Sequence, residues 1–495
     1  MMGYQDPPQE NMFLYNIYLE NRVRKDHILR RIKELIDFDF IYKEVEDKYG
    51  KKGNVSVPPP IILKLIFLFF YYNVRSEREL METLPERLDW LWFLGYTLES
   101  PVPDHSVLSK ARARWGKEIF KQFFERIVVQ CVEKGLVDGT KIFMDASFID
   151  ANASNGVFMD KYSLKKYLND GYLELEKRLE EKEGEVNTRY VSATDPDASI
   201  VRYKGGKARL QYKTHRIVDN LHEVITAVEV TPGAVDEAHK MTSLIDSHTT
   251  NTLIKPDKVV ADSKYGTIEN LLECYDREIN PHMPVIQTRN KRTGSRKDIF
   301  SEEQFAYDEK TNTLICPAGK RLKKKAFHSN RDNIEYMGSR KDCKNCKLRP
   351  QCTRNNNGRS VQRHIRKEEL DKMISITKSA KAKRDLKIRQ YLMERSYARS
   401  VRYGFDRARW RGLWKVVIQE YIVCTIQNIE TLIRYLKKPL KGIMAEPLKG
   451  KVKQKIIADC RQIFSSIRAC LYLFINMCSL HIFKAKIDLE GTHTL

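Results

Sequence analysis

A change of hydrophobic period at residues 141–154 constrains the fold more than any other stretch of the chain. Upstream, apolar residues recur at helical spacing: Ile28, Ile32, Ile36 and Phe40 stand about one turn apart. At KIFMDASFIDANAS the pattern becomes a short apolar run that leads into and out of one aspartate, Asp145. Such a run, bounded by turn residues, predicts a β-strand. Asp138, Gly139 and Thr140 form the turn that enters it. On a strand Asp145 and Ser147 face one way, Met144 and Ala146 the other. A carboxylate in so apolar a strand needs a partner, because an unpaired buried charge is costly. Taken alone, Asp145 reads as a capping or salt-bridged residue at a strand end. Asp150 is the rival on the same strand and faces the opposite side.

The pattern continues downstream. Residues 212–220 and 224–231 predict a hairpin, 258–265 a strand that ends near Asp262, and 283–289 a further strand. Helices are expected at 237–248 and 267–277, a loop at 192–211, and a charged helix or spacer at 164–184. The first three strands can form an antiparallel meander. The fourth returns through a helix and so can run parallel to the first. If those two are neighbours, Asp145 and Asp262 meet on the sheet and Asp145 is no longer alone.

Before the first strand the chain reads as helical, at 60–73, 76–83, 86–94 and 105–135. The turn at 95–103 gives the last two a likeness to a helix-turn-helix. Asp104 or Ser106 caps the second helix, and Lys110, Arg112 and Arg114 along it are spaced to straddle phosphates. A bundle with a solvated basic face accounts for them equally well. Beyond the sheet region, residues 381–403 predict a helix carrying Glu394. A basic loop follows at 406–412, then an amphipathic helix from about Trp414 to Leu432.

Charge narrows the partner. Lys and Arg number 88 against 65 Asp and Glu, a net charge of +23 spread along the 495 residues. That excess fits an extended polyanion. The length calls for more than one structural unit. No targeting motif is evident, so a soluble, cytoplasmic protein is expected. Residues 61–72 are too short to span a membrane and carry Lys64, and Asn476, Ser479 and His481 interrupt the run at 467–483. In a reducing compartment the 10 cysteines are thiols or metal ligands. Cys316, the CxxC pair Cys343 and Cys346, and Cys352 are a candidate tetrahedral Zn²⁺ set, with free structural thiols as the alternative. Cys131, Cys274 and Cys424 lie in apolar helical contexts and read as core residues.

Four segments then carry a resemblance. MDASFIDANAS, YKTHRIVDN with VEVTPG, VVADSKYG, and MERSYARSVRYGFDRARWRGL, in that order, resemble the DDE transposases of bacterial insertion sequences. The likeness is nearest to the 1182 group and spans roughly residues 15–435. It implies a mixed α/β fold, an RNase H-like five-stranded sheet with flanking helices. A helical DNA-binding region at 1–137 would precede the catalytic domain at 138–289 plus 381–437. A basic Cys-containing insertion at 290–380 would interrupt that domain, and the role of the tail at 438–495 is open.

Carried over by motif, the catalytic acids are Asp145, Asp262 and Glu394, as ligands of two Mg²⁺ (or Mn²⁺) ions. Such ions activate the nucleophile and stabilise the leaving oxygen, and they prefer carboxylate oxygen. Water would first attack a phosphodiester at the element end, and the freed 3′-hydroxyl would then attack target DNA. Related enzymes have a lysine seven residues past the glutamate; here Val401 stands there, with Arg402 next. DNA contacts are expected from Lys213 or His215, Lys264, Arg395, Arg402, Arg407, Arg409 and Arg411. Glu269 and Glu430 read as ordinary helix carboxylates. The implied partner is double-stranded DNA at element ends and target, bound by a homodimer or higher oligomer in the bacterial nucleoid, with no membrane. A catalytically inactive DNA-binding derivative and a Mg²⁺-dependent nuclease without strand transfer remain as alternatives. The strand-borne acids disfavour a tyrosine recombinase.

Overall fold

The computed structural model describes residues 2–3, 18–50, 52–153, 158–160, 190–192, 194–202, 208–286 and 299–436. The expectations for 164–184, for 467–483 and for the tail lie outside these residues.

Seven helices come first: α1 (Leu19–Arg22), α2 (Ile28–Leu35), α3 (Ile41–Val45), α4 (Pro59–Tyr71), α5 (Glu77–Thr83), α6 (Leu88–Leu94) and α7 (Ser106–Glu133). Pro59 and Pro60 open α4, where a missing N–H costs nothing. Residues 59–70 of α4 are all buried, including Lys64, whose ammonium lies 5.8 Å from the Phe38 ring centre and 5.9 Å from that of Phe93. The apolar run at 61–72 is therefore a core helix. Among the described residues no helix is long and apolar enough to cross a membrane. Gly95, at φ +79°, ends α6, and Asp104 Oδ1 accepts the Ser106 N–H at 2.8 Å to start α7. Gly116, at φ +71°, kinks α7.

The strands follow as β1 (Lys141–Asp150), β2 (Phe158–Asp160), β3 (Tyr190–Ser192), β4 (Ser199–Val201), β5 (Arg209–Asp219), β6 (Ile225–Pro232), β7 (Lys258–Val260) and β8 (Asn280–His282). β2 and β3 pair only with each other. The main sheet runs β6–β5–β1–β7–β8, and the short β4 also pairs with β5. β5 is antiparallel to β1 and β6, while β7 and β8 run parallel to β1. α8 (Met241–Thr252) connects β6 to β7, and α9 (Ile268–Asp276) connects β7 to β8. This is the mixed sheet the strand order anticipates, and it is consistent with the RNase H-like fold that the resemblance implies.

A second, wholly antiparallel sheet of β9 (Ala306–Asp308), β10 (Thr313–Ile315), β11 (Arg321–His328), β12 (Asn333–Gly338) and β13 (Ser360–His364) fills the insertion, with α10 (Arg340–Lys344) between its last two strands. Then come α11 (Lys367–Thr377), α12 (Ala380–Val401) and α13 (Leu413–Leu436).

Three details differ from the sequence reading. The fourth strand stops at Val260 because Asp262 folds back, its Oδ1 accepting the Lys264 N–H at 2.9 Å. The last strand is Asn280–His282 instead of 283–289, of which 287–289 lie outside the described residues. Pro284 brings no ladder donor there, and its carbonyl sits so near Gly266 that a Cβ on that glycine would lie 2.0 Å away. The stretch at 192–211 is not all loop, since β4 pairs Ser199 to Val201 with residues of β5.

Alternation along β1 sorts the two faces. Ile142 and Met144 pack with Met241, Leu244 and Leu271, the α8/α9 side. Phe143 packs with Phe124, Leu392, Met393 and Cys424, from α7, α12 and α13. Asp145 shares the second side by period. The largest core joins the N-terminal helices to α13 and to Ile149 and Tyr212 of the sheet, and residues 1–435 form one compact unit. Opposite Asp145 on β5 stands Arg216. It is fully buried and donates from Nε to Glu420 Oε1 at 2.6 Å and from Nη1 to Ser400 Oγ at 2.7 Å. Thr214 donates to the same Glu420 oxygen at 3.0 Å. One buried ion pair thus pins α13 to the strand beside the site.

Candidate active site

Register brings the two aspartates together. Phe143 of β1 is opposite Val260 of the parallel β7. Two residues further along each chain stand Asp145 and Asp262, level with each other at the end of β7. The third carboxylate is Glu237, which starts the 3₁₀ turn Glu237–Lys240 after β6, with the Asp236 side chain accepting the Ala238 N–H at 3.1 Å. One carboxylate oxygen from each of Asp145, Glu237 and Asp262 lies within 4.8 Å of the others.

Cations of the chain partly balance this charge. Arg389 Nη1 lies 2.8 Å from Asp145 Oδ2. Glu237, 3% exposed, meets Lys264 Nζ at 2.6 Å and Lys213 Nζ at 3.5 Å. Balance is incomplete at Asp145, whose carboxyl is pushed up to about 6. Burial is the largest cause, and the charges of Asp262 and Glu237 add to it. Arg389 and the Ala146 N–H oppose it. Tyr397 of α12 donates its hydroxyl to the Asp145 carbonyl at 3.0 Å, which fixes the backbone of the strand. Tyr265 is fully buried beside the group, and its hydroxyl has no hydrogen-bond partner among the described residues. Burial and the charges of Glu237, Tyr397, Asp145 and Asp262 hold that phenol well above its ordinary range. Three clustered carboxylates and an orphaned hydroxyl are hard oxygen donors, and they fit a divalent cation.

Glu394 is not a member of the 4.8 Å group. It is exposed on α12 and accepts from Gln390 Nε2 at 3.4 Å. It stands five residues after Arg389 and three before Tyr397, both of which touch Asp145. Asp150, the rival on β1, is engaged by Gln211 Nε2 at 2.7 Å and Arg209 at 3.4 Å. Glu430 pairs with Arg399 and Arg402, each at 3.9 Å, as a helix carboxylate would.

The basic residues divide by exposure. Lys110, Arg114, Lys264, Arg395, Arg402, Arg407 and Arg411 are exposed. Arg395 pairs with Glu223, and Arg411 donates to the Asn152 carbonyl at 3.0 Å. Arg112 is 4% exposed, stacks 4.0 Å over Trp410 and pairs with Glu77. Arg409 donates to the Val74 carbonyl and lies 4.6 Å from the Phe69 ring centre. Lys213 is buried and donates to the Val235 carbonyl at 2.7 Å. His215 is fully buried against Thr231 Oγ1 at 2.9 Å, and burial pushes its imidazole down to about 3. Arg112, Lys213 and His215 are thus buried, Lys213 against Glu237 of the acidic group.

Comparison with protein families agrees with this architecture at both ends of the chain. A model described as a transposase domain matches residues 17–114, the helices α1–α6 and the start of α7. A model described as a transposase DDE domain matches residues 315–433, from the insertion sheet through α12 and α13. With the sheet order and the acidic group, these matches support a DDE transposase of the insertion-sequence type.

Proposed function

We propose that the protein hydrolyses a phosphodiester at each end of its element and transfers the freed 3′-hydroxyl into target DNA, with divalent cations held at Asp145. The observation that carries this reading is the convergence of Asp145, Asp262 and Glu237 within 4.8 Å at the end of a parallel strand pair. In the proposal Asp145, Asp262 and Glu394 are the acids of the DDE set, and Glu237 is a fourth carboxylate of the same site. Support for Glu394 comes from its motif and from its place on the helix that touches Asp145 through Arg389 and Tyr397. When bound, the cations would activate the attacking oxygen and stabilise the leaving one. Asp145 and Asp262 would hold them by carboxylate oxygens. Lys213 and Lys264 hold Glu237 in place through their ion pairs.

Double-stranded DNA is the proposed partner. Exposed Lys110 and Arg114 on α7, with Lys264, Arg402, Arg407 and Arg411, would contact phosphates, so affinity should fall steeply with salt. The protein would act as a dimer or larger assembly on its two element ends, and the 1182 group is the proposed subfamily. The test is incubation of the protein with labelled element-end duplex and a target plasmid, with and without Mg²⁺ or Mn²⁺. Joined products that require the cation support the reading. Cutting without joining would leave a nuclease, and DNA binding with neither would leave an inactive derivative.

A further inference from the structure

The insertion closes its sheet on a very small core. Among the described residues, the buried cluster of β9–β13 consists of Phe305, Leu314, Leu322, Tyr336 and Val361, with Cys316 and Cys352 packed against it. A unit with so little apolar burial needs another source of folding energy.

Four thiols are among the residues that line one cavity of this unit. Cys316 follows β10, Cys343 lies on α10, Cys346 follows that helix, and Cys352 comes from the next turn. All four line the same cavity, are half-buried, and are free of disulfides. The backbone is shaped around the sulfurs. Lys320 N–H donates to Cys316 Sγ at 3.3 Å, and the same turn is closed by Cys316 N–H to the Lys320 carbonyl at 2.9 Å. A Cβ on Gly338 would lie 3.0 Å from Cys343 Sγ. One on Gly358, at φ +108°, would lie 2.6 Å from the Gly338 carbonyl oxygen and 3.4 Å from that sulfur. Two glycines therefore keep space open around Cys343.

We propose that Cys316, Cys343, Cys346 and Cys352 bind one structural Zn²⁺, and that this ion closes the insertion sheet. Four sulfur donors suit a borderline-soft cation with tetrahedral preference. The Asp145 site offers hard oxygen donors, so the two centres select different metals. As each sulfur–zinc bond forms, the thiol gives its proton to solvent, and binding energy becomes folding energy.

Elemental analysis of the purified full-length chain should find about one zinc per molecule. After exchange for Co²⁺, the spectrum should show tetrahedral d–d bands and an intense thiolate-to-cobalt charge-transfer band. Cys343→Ser and Cys352→Ser should lose both metal and band, while Asp145→Asn keeps them. Because the serine variants can fail to fold, limited proteolysis of wild type supplies a second readout. Stripping zinc with a chelator should expose residues 299–366 to protease, and Zn²⁺ but not Mg²⁺ should restore protection. Zinc-free protein in which that segment stays protected overturns the proposal, as does iron in place of zinc or a disulfide among the four.

Discussion

Arg389 Nη1 stands 2.8 Å from Asp145 Oδ2, so a cation from the covering helix already meets the strand carboxylate at the centre of the site. It does not fully compensate that carboxylate, which titrates near 6 instead of its ordinary 3.8. A bound divalent cation would supply the missing charge. Its binding must compete both with protons and with Arg389.

That competition has a direction in pH. The raised pKa means that the metal-free fold favours protonated Asp145. The stability this group contributes is full below about 4 and is lost as pH rises through about 6. The rise corresponds to roughly 3 kcal/mol, at about 1.4 kcal/mol per pH unit. Without metal, Asp145→Asn should therefore unfold at higher denaturant than wild type at pH 8, and the gap should close toward pH 4. Mg²⁺ or Mn²⁺ should stabilise wild type at pH 8 and leave the variant unchanged. A variant less stable than wild type at pH 8 without metal would contradict the assignment of Asp145 as an undercompensated acid.

Glu237 is buried against two lysines and yet faces both aspartates. If it belongs to the metal site, Glu237→Gln should weaken Mn²⁺ binding by roughly 10–100-fold, the scale of losing a supporting group around a metal. Isothermal titration against Mn²⁺ reads this directly. Unchanged affinity would reduce Glu237 to a tether for Lys213 and Lys264. Glu394→Gln, measured beside it, tests the acid that the motif assigns and that the cluster does not include.

The Arg216–Glu420 pair predicts a structural effect instead. Glu420→Ala leaves a fully buried guanidinium without its counter-charge and should destabilise the fold by about 3–5 kcal/mol. Chemical denaturation checks it. A loss below about 1 kcal/mol would mean that Ser400 and the rings of Tyr397 and Phe405 suffice to hold Arg216.

How much of this is legible in the sequence depends on range. The strand carrying Asp145 and the parallel partner that leads to Asp262 can be read locally, because alternation and turn residues mark each strand. The helical crossover lets the two run parallel, and the fold makes them neighbours. Glu237 carries no such signal: nothing in PGAVDE distinguishes it from a helix-opening acid, and it reaches the site only because the chain folds back after β6 toward Lys213 and Lys264. Arg112 fails for a related reason. Two residues from both Lys110 and Arg114, it lies on the opposite face of α7, where Glu77 and Trp410, both distant in sequence, hold it. The early end of the strand at Val260 depends on the Asp262 side chain capping its own turn, a choice that the apolar run does not reveal.

The exposed pair on the other face of α7 yields a binding prediction. Lys110→Glu with Arg114→Glu should weaken duplex DNA binding without altering the fold. The slope of log K against log salt should fall by about 0.9 for each phosphate that is no longer neutralised. Fluorescence anisotropy across a salt series measures both quantities. An unchanged slope would place the DNA on another face.

The most direct test of the central claim is cleavage of an element-end duplex by wild type, Asp145→Asn and Asp262→Asn, with Mg²⁺ and with chelator. Wild type should cleave only when Mg²⁺ is present, and neither variant should cleave under any condition. Cleavage in chelator, or by Asp145→Asn at the wild-type rate, would contradict the assignment of Asp145 as a metal-holding acid.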